Sequence, residues 1–143
     1  MAGNVLKTWS KTQAHIALST GESELAGVVR GATEGLGLVS VLADFGWKVK
    51  LELRADATAA IGMVKREGLG RVRHLAVSDL WIQQRIRSKA IDIGKVPGTE
   101  NPSDMLTKGL DSISIQRYLG SLRMLAAKGR HWLAPAVQSD GRR

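Results

Sequence analysis

Between Leu25 and Leu42 the apolar residues Leu25, Val28, Val29, Ala32, Leu36, Val39 and Leu42 recur at the i, i+3, i+4 spacing that lines one face of a helix. Ser19 or Thr20 can cap the first free N–H groups, and Glu22 or Ser23 falls in the first turn, where a negative or polar group suits the helix dipole. Phe45-Gly46-Trp47 ends the run, and "KVKLELRA" (Lys48 to Ala55) switches to alternation, with Val49, Leu51 and Leu53 on one face of a strand that Asp56 follows. "ATAAIGMVKRE" (Ala57 to Glu67) is rich in helix formers and is stopped by "GLG" at 68–70. A second helical run extends from Leu75 to Ser88, and "AIDIGKV" (Ala90 to Val96) alternates again as a strand. Asn101-Pro102-Ser103-Asp104 has the grammar of a helix start, and Ile115, Tyr118, Leu119, Leu122 and Leu125 predict a last amphipathic helix over 113–127. Upstream, "TWSKTQAHIALS" (Thr8 to Ser19) alternates in part and predicts a half-buried strand, while the residues after Gly129 read as a loose tail. Strands alternating with helices imply an α/β or α+β domain with helices packed on a sheet.

Composition narrows the chemistry. The 143 residues, 43% of them hydrophobic, suffice for one core. No unbroken apolar run approaches the ~18 residues that cross a bilayer, and the opening residues lack the apolar stretch of a secretion signal, so an intracellular protein without a membrane partner is expected. The absence of cysteine excludes disulfides, thiolate nucleophiles and zinc–cysteine sites. His15, His74 and His131 are too scattered to suggest a metal cage. A formal charge of +8 favours a polyanionic partner, since each neutralised phosphate releases counterions. The cluster Lys65, Arg66, Arg71, Arg73 and His74 around the glycine-rich turn suits a phosphate backbone.

Hydrolysis of a phosphodiester by two metal ions requires carboxylates from several elements to converge, because two hard cations about 4 Å apart hold the attacking water and the leaving oxygen. Glu24 begins a helix after a strand, Asp56 ends a strand, and Asp104 opens a late helix, positions that can meet at one sheet edge. By spacing alone the plainer roles stand beside this one: Glu24 as a dipole residue, Asp56 as N-cap for the helix at Ala57, and Asp104 as a helix-start acid.

Four blocks, "WSKTQAHIALSTGESELAG", "LRADATAAI", "GLGRVRHL" and "KVPGTENPSDMLTKGL", resemble in order and spacing the ribonuclease H domain of Ty1/copia-type retrotransposon polyproteins. The family pattern runs W-S-x-K-x-Q, A-L-S-S-T-E-A-E-Y, D-N-x-x-A, K-H-I and N-P-A-D-x-L-T-K, and the resemblance spans Trp9 to Leu110. It implies a ribonuclease H-like α/β fold, a mixed sheet flanked by helices, with 9–127 as the domain, 1–8 as an N-terminal remnant and 128–143 as a basic tail. The implied activity is hydrolysis of the RNA strand of an RNA–DNA hybrid with Mg²⁺ or Mn²⁺, beside the reverse transcriptase region of the same polyprotein. Glu24 matches the second acid of T-E-A-E-Y, Asp56 the aspartate of the second strand and Asp104 the last aspartate of N-P-A-D; these are the implied catalytic and metal-binding residues. Lys108, one turn after Asp104, joins Lys65, Arg66, Arg71, Arg73 and His74 as an expected nucleic-acid contact. An intracellular location follows, without separating cytoplasm, virus-like particle and nucleus.

Departures from the pattern carry their own expectations. The family's first catalytic aspartate lies on a strand upstream of the tryptophan block, and here no acid precedes Glu22. The chain is therefore expected to lack the first strand or strands and one of four carboxylates, with impaired hydrolysis. Ala76 replaces the acid that follows K-H-I, and "VPGTENPSD" holds no counterpart of the loop histidine of cellular ribonucleases H. The alternatives are a nuclease-dead remnant that binds nucleic acid through its basic face, and a small basic interaction domain with no metal site.

Overall fold

A computed structural model of the chain describes residues 5–11, 17, 19–68, 70 and 80–125. Contacts divide it into two compact units, Ser10–Asn101, and Met1–Trp9 with Pro102–Arg143. The first unit holds α1 (Thr20–Asp44), β1 (Leu51–Ala55), α2 (Thr58–Lys65), α3 (Trp81–Arg87), β2 (Ile91–Lys95) and a 3-10 turn at Gly98–Glu100. β1 and β2 pair in parallel, Leu51 with Ile91 through Ala55 with Lys95, and α2 and α3 lie on the crossover that parallel pairing requires. The protein is thus of mixed α/β class. Its sheet has two strands among the described residues, an arrangement compatible with a ribonuclease H-like fold lacking strands.

Local chemistry sets the helix ends. At the start of α1 the Ser19 hydroxyl accepts the N–H of Glu22 (3.3 Å) and donates to the Glu22 carboxylate (3.1 Å), so that the two residues cap the first turn together. At its end Gly46 takes a left-handed φ of 81°, so that its N–H reaches the carbonyl of Ala43 and that of Trp47 the carbonyl of Leu42. Lys89 closes α3 by the same hydrogen-bond pattern. α2 ends differently. Arg66 leaves it in an extended conformation, and the carbonyl of Met63, one of the last four that a helix leaves unmatched, accepts a hydrogen bond from the side-chain amide of Gln83 on α3 (2.8 Å). The same amide accepts the N–H of Gly68 (2.9 Å) and donates to its carbonyl (3.0 Å), so one buried side chain of α3 fixes the end of α2 and the turn beyond it.

The core of this unit joins Leu25 and Ala32 of α1, Val64 of α2, Ile82 of α3 and Ile91 of β2, with Val28, Leu36, Leu51, Leu53 and Trp81 packed around them. α1 lies tight against β1 at Gly35, where an added Cβ would lie 2.6 and 2.8 Å from the Leu51 methyl groups; at Gly37 an added Cβ meets nothing within 4 Å. The two glycines are expected to respond oppositely to alanine. Gly37→Ala gains the ordinary helix preference of alanine, raising stability by about 0.5–1 kcal/mol. Gly35→Ala has the same gain, but overpacking against Leu51 costs about 1–3 kcal/mol and leaves a net loss. Thermal unfolding of the two variants checks this: equal shifts would show that Leu51 moves aside freely.

Several expectations change. α1 is long and apolar enough to cross a bilayer by length and composition, with a mean hydropathy of 1.4 over its most apolar 18 residues, which corrects the view that no segment qualifies. Here it carries an Arg30–Glu34 ion pair (2.7 Å) and packs Leu25 and Ala32 into the core. The strand expected over Thr8–Ser19 is absent where it is described: residues 8–11 form no regular element, and 12–16 and 18 lie outside the described residues. β1 starts at Leu51, leaving Val49 exposed, and of the helix expected from Leu75, residues 75–79 lie outside the described residues while α3 covers Trp81–Arg87.

In the second unit, Pro102–Leu106 is a 3-10 turn instead of the start of an α-helix, and α4 runs over Ser112–Ser121. α4 stops short of the expected 127 because Arg123 turns left-handed (φ 54°), its N–H bonding the carbonyl of Gly120 and that of Met124 the carbonyl of Leu119. Residues 126–143, which include the expected tail at 128–143, lie outside the described residues. Asp111 is the N-cap of α4: its Oδ1 accepts the N–H of Ser114 at 2.6 Å. Hydrogen bonds from the backbone and side chain of Ser114, helped by the Arg117 charge, hold its carboxyl below the ordinary 3.8. A lowered folded-state pKa means that the ionised cap stabilises α4 above the unfolded-state value and that this contribution is lost as pH falls through the folded-state value. The Ser114 amide resonance is expected to follow that acid titration in the wild type and to stay flat in Asp111→Asn.

Candidate functional site

Parallel strands end at the same side of their sheet, and here that side carries the chemistry. Ala55 and Lys95 are the last paired residues of β1 and β2, and the N–H of Val96 extends the pairing by one bond to the carbonyl of Ala55 (3.0 Å). Asp56-Ala57 and Val96-Pro97-Gly98 therefore leave the sheet side by side, at the carboxyl ends where open α/β sheets bind ligands. Glu24, in the second turn of α1, faces the same space: Glu24, Asp56, Ala57, Lys95, Pro97 and Gly98 line one open groove. Glu24 is exposed and Asp56 half-buried, and a Cβ added at Gly98 would lie 3.8 Å from the Asp56 carboxylate, so this wall is backbone.

Capping does not account for either acid. Ser19 and Glu22 cap α1 without Glu24, and the N-cap of α2 is Ala57, whose side chain makes no capping hydrogen bond. Among the described residues neither Glu24 nor Asp56 is in an ion pair with the lysine beside them; Lys95 instead donates to the hydroxyl of Thr58 at 2.8 Å. Two carboxylates thus face solvent in one concavity.

Among the described residues, the remaining sequence-predicted ones are not part of the groove lining. Asp104 belongs to the second unit, where its Oδ2 accepts from Lys108 at 2.9 Å across one helical turn; the expected metal ligand and the expected phosphate contact are partners of each other. Lys65 is exposed on the last turn of α2, and the Arg66 guanidinium lies against Gly70, where an added Cβ would come within 2.5 Å of it. Arg71, Arg73 and His74 lie outside the described residues. Two contributors escaped the sequence reading. Lys95 was counted only as an alternating strand position, although it ends the second strand beside Ala55, the residue before Asp56. Gln83, which holds the turn after Lys65 and Arg66, leaves no local signal, because its partners lie 15 and 20 residues away.

Magnesium prefers six oxygen ligands and is commonly held by one or two carboxylates, with water and substrate phosphates supplying the rest. Glu24 and Asp56 give this groove two carboxylates. Among the described residues no three His, Asp or Glu side chains gather closely enough to hold a metal between them.

Over 109 residues, 75% of this chain, the sequence is 30% identical to the retrovirus-related Pol polyprotein from transposon TNT 1-94 of Nicotiana tabacum. The chain is related to a retrotransposon Pol polyprotein. It spans 8% of that relative's length, so this Pol-related segment corresponds to a small part of a much larger protein. No protein-family profile matches it, and no solved structure matches it.

Proposed function

We propose that the groove of this Pol-related chain is a ribonuclease H site, which binds an RNA–DNA hybrid and hydrolyses its RNA strand with Mg²⁺ or Mn²⁺ during reverse transcription. The observation that carries the reading is the meeting of Glu24 and Asp56, acids from two separate sequence blocks, in one open groove at the carboxyl ends of parallel strands. When bound, the cation supplies Lewis-acid polarisation of a phosphate and a more acidic water. Glu24 and Asp56 hold it, and Asp104 is assigned as a further carboxylate donor on the sequence resemblance. Lys65, Arg66, Arg71, Arg73, His74 and Lys108 are assigned to the nucleic-acid backbone, positioning the hybrid without reading its sequence. The reverse transcriptase region of the same polyprotein is the proposed working partner.

A second reading is hybrid binding without hydrolysis, and the two-carboxylate groove favours it: a cation with few protein ligands is positioned loosely, and misplacement of reacting groups by about 1 Å can cost a hundredfold in rate. End-labelled RNA annealed to DNA, incubated with the chain in Mg²⁺ or Mn²⁺, separates the two. Metal-dependent RNA fragments absent from Asp56→Asn support hydrolysis. Salt-dependent hybrid binding with no fragments in either metal supports the second reading and overturns the first.

A further inference from the structure

The groove holds a cation as well as two acids, and its placement invites a question that the acids do not answer. Lys95 closes β2 in register with Ala55, the residue before Asp56, so the lysine and the aspartate lie one residue apart along adjacent strand ends. Its ammonium does not bridge to Asp56 or Glu24. It donates instead to the Thr58 hydroxyl (2.8 Å), at the first residue of α2 and beside Ala57 on the groove wall. This contact uses one of three ammonium donors and leaves the charge uncompensated by any carboxylate among the described residues. Lysine there is a cost for a site meant only to concentrate negative charge, because it opposes a metal ion held by Glu24 and Asp56. It is an advantage where the ligand brings its own anion.

We propose that Lys95 is the groove's phosphate contact: its ammonium, steadied by Thr58, takes a non-bridging oxygen of a nucleic-acid backbone phosphate beside Glu24 and Asp56. This rests on reading the groove as a nucleic-acid site. Lys95 is then a binding residue that sets where the backbone lies relative to the two carboxylates, and the Thr58 hydroxyl is a positioning group that acts through it. Because an ammonium is a point charge with rotatable donors, it fixes the location of a phosphate without selecting a base.

The test measures binding of an RNA–DNA hybrid to the full chain by fluorescence anisotropy, in EDTA and over a series of salt concentrations, so that no hydrolysis enters. Lys95→Gln is expected to weaken binding at least about threefold at low salt and to reduce the slope of log K against log salt by about one, the signature of one lost phosphate contact. Lys95→Arg should restore the slope, and Thr58→Val should weaken binding less than Lys95→Gln. Far-UV circular dichroism confirms that each variant is folded. Wild-type affinity and slope in a folded Lys95→Gln chain overturn the assignment of Lys95 while leaving the groove reading in place. Failure of the wild-type chain to bind the hybrid at any salt concentration overturns the groove reading and the assignment of Lys95 together.

Discussion

Asp56→Asn is expected to lower metal-dependent hydrolysis of the RNA strand at least about a hundredfold without altering the fold. Asp56 stands just beyond the last paired residue of β1 and takes no part in capping α2, so the amide can replace the carboxylate with no structural group left unmatched. What changes is the charge. With two carboxylates lining the groove, asparagine removes half of the negative charge available to a divalent ion there. Metal-ion stabilisation of a developing phosphoryl charge amounts to several kcal/mol, and each 1.4 kcal/mol is about a factor of ten in rate. The metal requirement should shift with the rate, so that Asp56→Asn needs more Mg²⁺ for half-maximal cutting. Binding provides a readout independent of turnover: Mn²⁺ should broaden the amide resonances of Asp56 and Ala57 in the wild type and spare them in the variant. Equal broadening in both proteins would sink the assignment of Asp56 as a ligand.

The largest effect on stability is expected at Gln83. Gln83→Leu keeps a side chain of similar bulk but removes the amide that serves the Met63 carbonyl and both backbone groups of Gly68. A buried polar group left without its partner costs about 1–3 kcal/mol. Partial access of water to the turn offsets some of this, because Gly68 is exposed, and a net loss of about 2–4 kcal/mol follows. Arg87→Ala serves as the control on the same helix. Its ion pair with Glu67 (3.0 Å) is well exposed on both sides, so less than about 1 kcal/mol is at stake. Urea unfolding compares the two through their midpoints, provided that the slopes agree. If Gln83→Leu unfolds at the same midpoint as Arg87→Ala, the amide is not what holds the turn.

These two residues also mark how far the sequence could be read. Helices and strands with a full period were legible: α1 from seven apolar positions at helical spacing, β1 and β2 from alternation bounded by turn residues. Thr8–Ser19 offered only partial alternation, and the described part of it forms no strand. Helix ends were legible at Gly46, where glycine signals the stop, and at Ser88, which caps α3, but not at Arg123, where arginine adopts the left-handed turn. Gln83 looked like one more polar position on a helix, since a cap supplied from another element is a tertiary event. Of the site, spacing gave acids at element ends but could not separate metal ligands from caps, and the block resemblance was needed to single out Glu24 and Asp56. The structure adds that Ser19 caps α1 and that Ala57, the N-cap of α2, makes no side-chain capping bond. Asp104 and Lys108, one helical turn apart, could have been read as an ion pair from their spacing alone.

The parallel pairing of β1 with β2 has a consequence for how the groove comes into being. Leu51 meets a partner forty positions away, and the pairing repeats that separation at each step to Ala55 and Lys95. Chain entropy must be given up to close so long a crossover before any strand contact repays it, which makes such pairings slow to form. α2, α3 and the Gln83 clamp shorten the effective search by folding within the crossover. The walls of the groove thus close a forty-residue loop, and a lesion in that crossover, far from Glu24 and Asp56, is expected to slow their coming together.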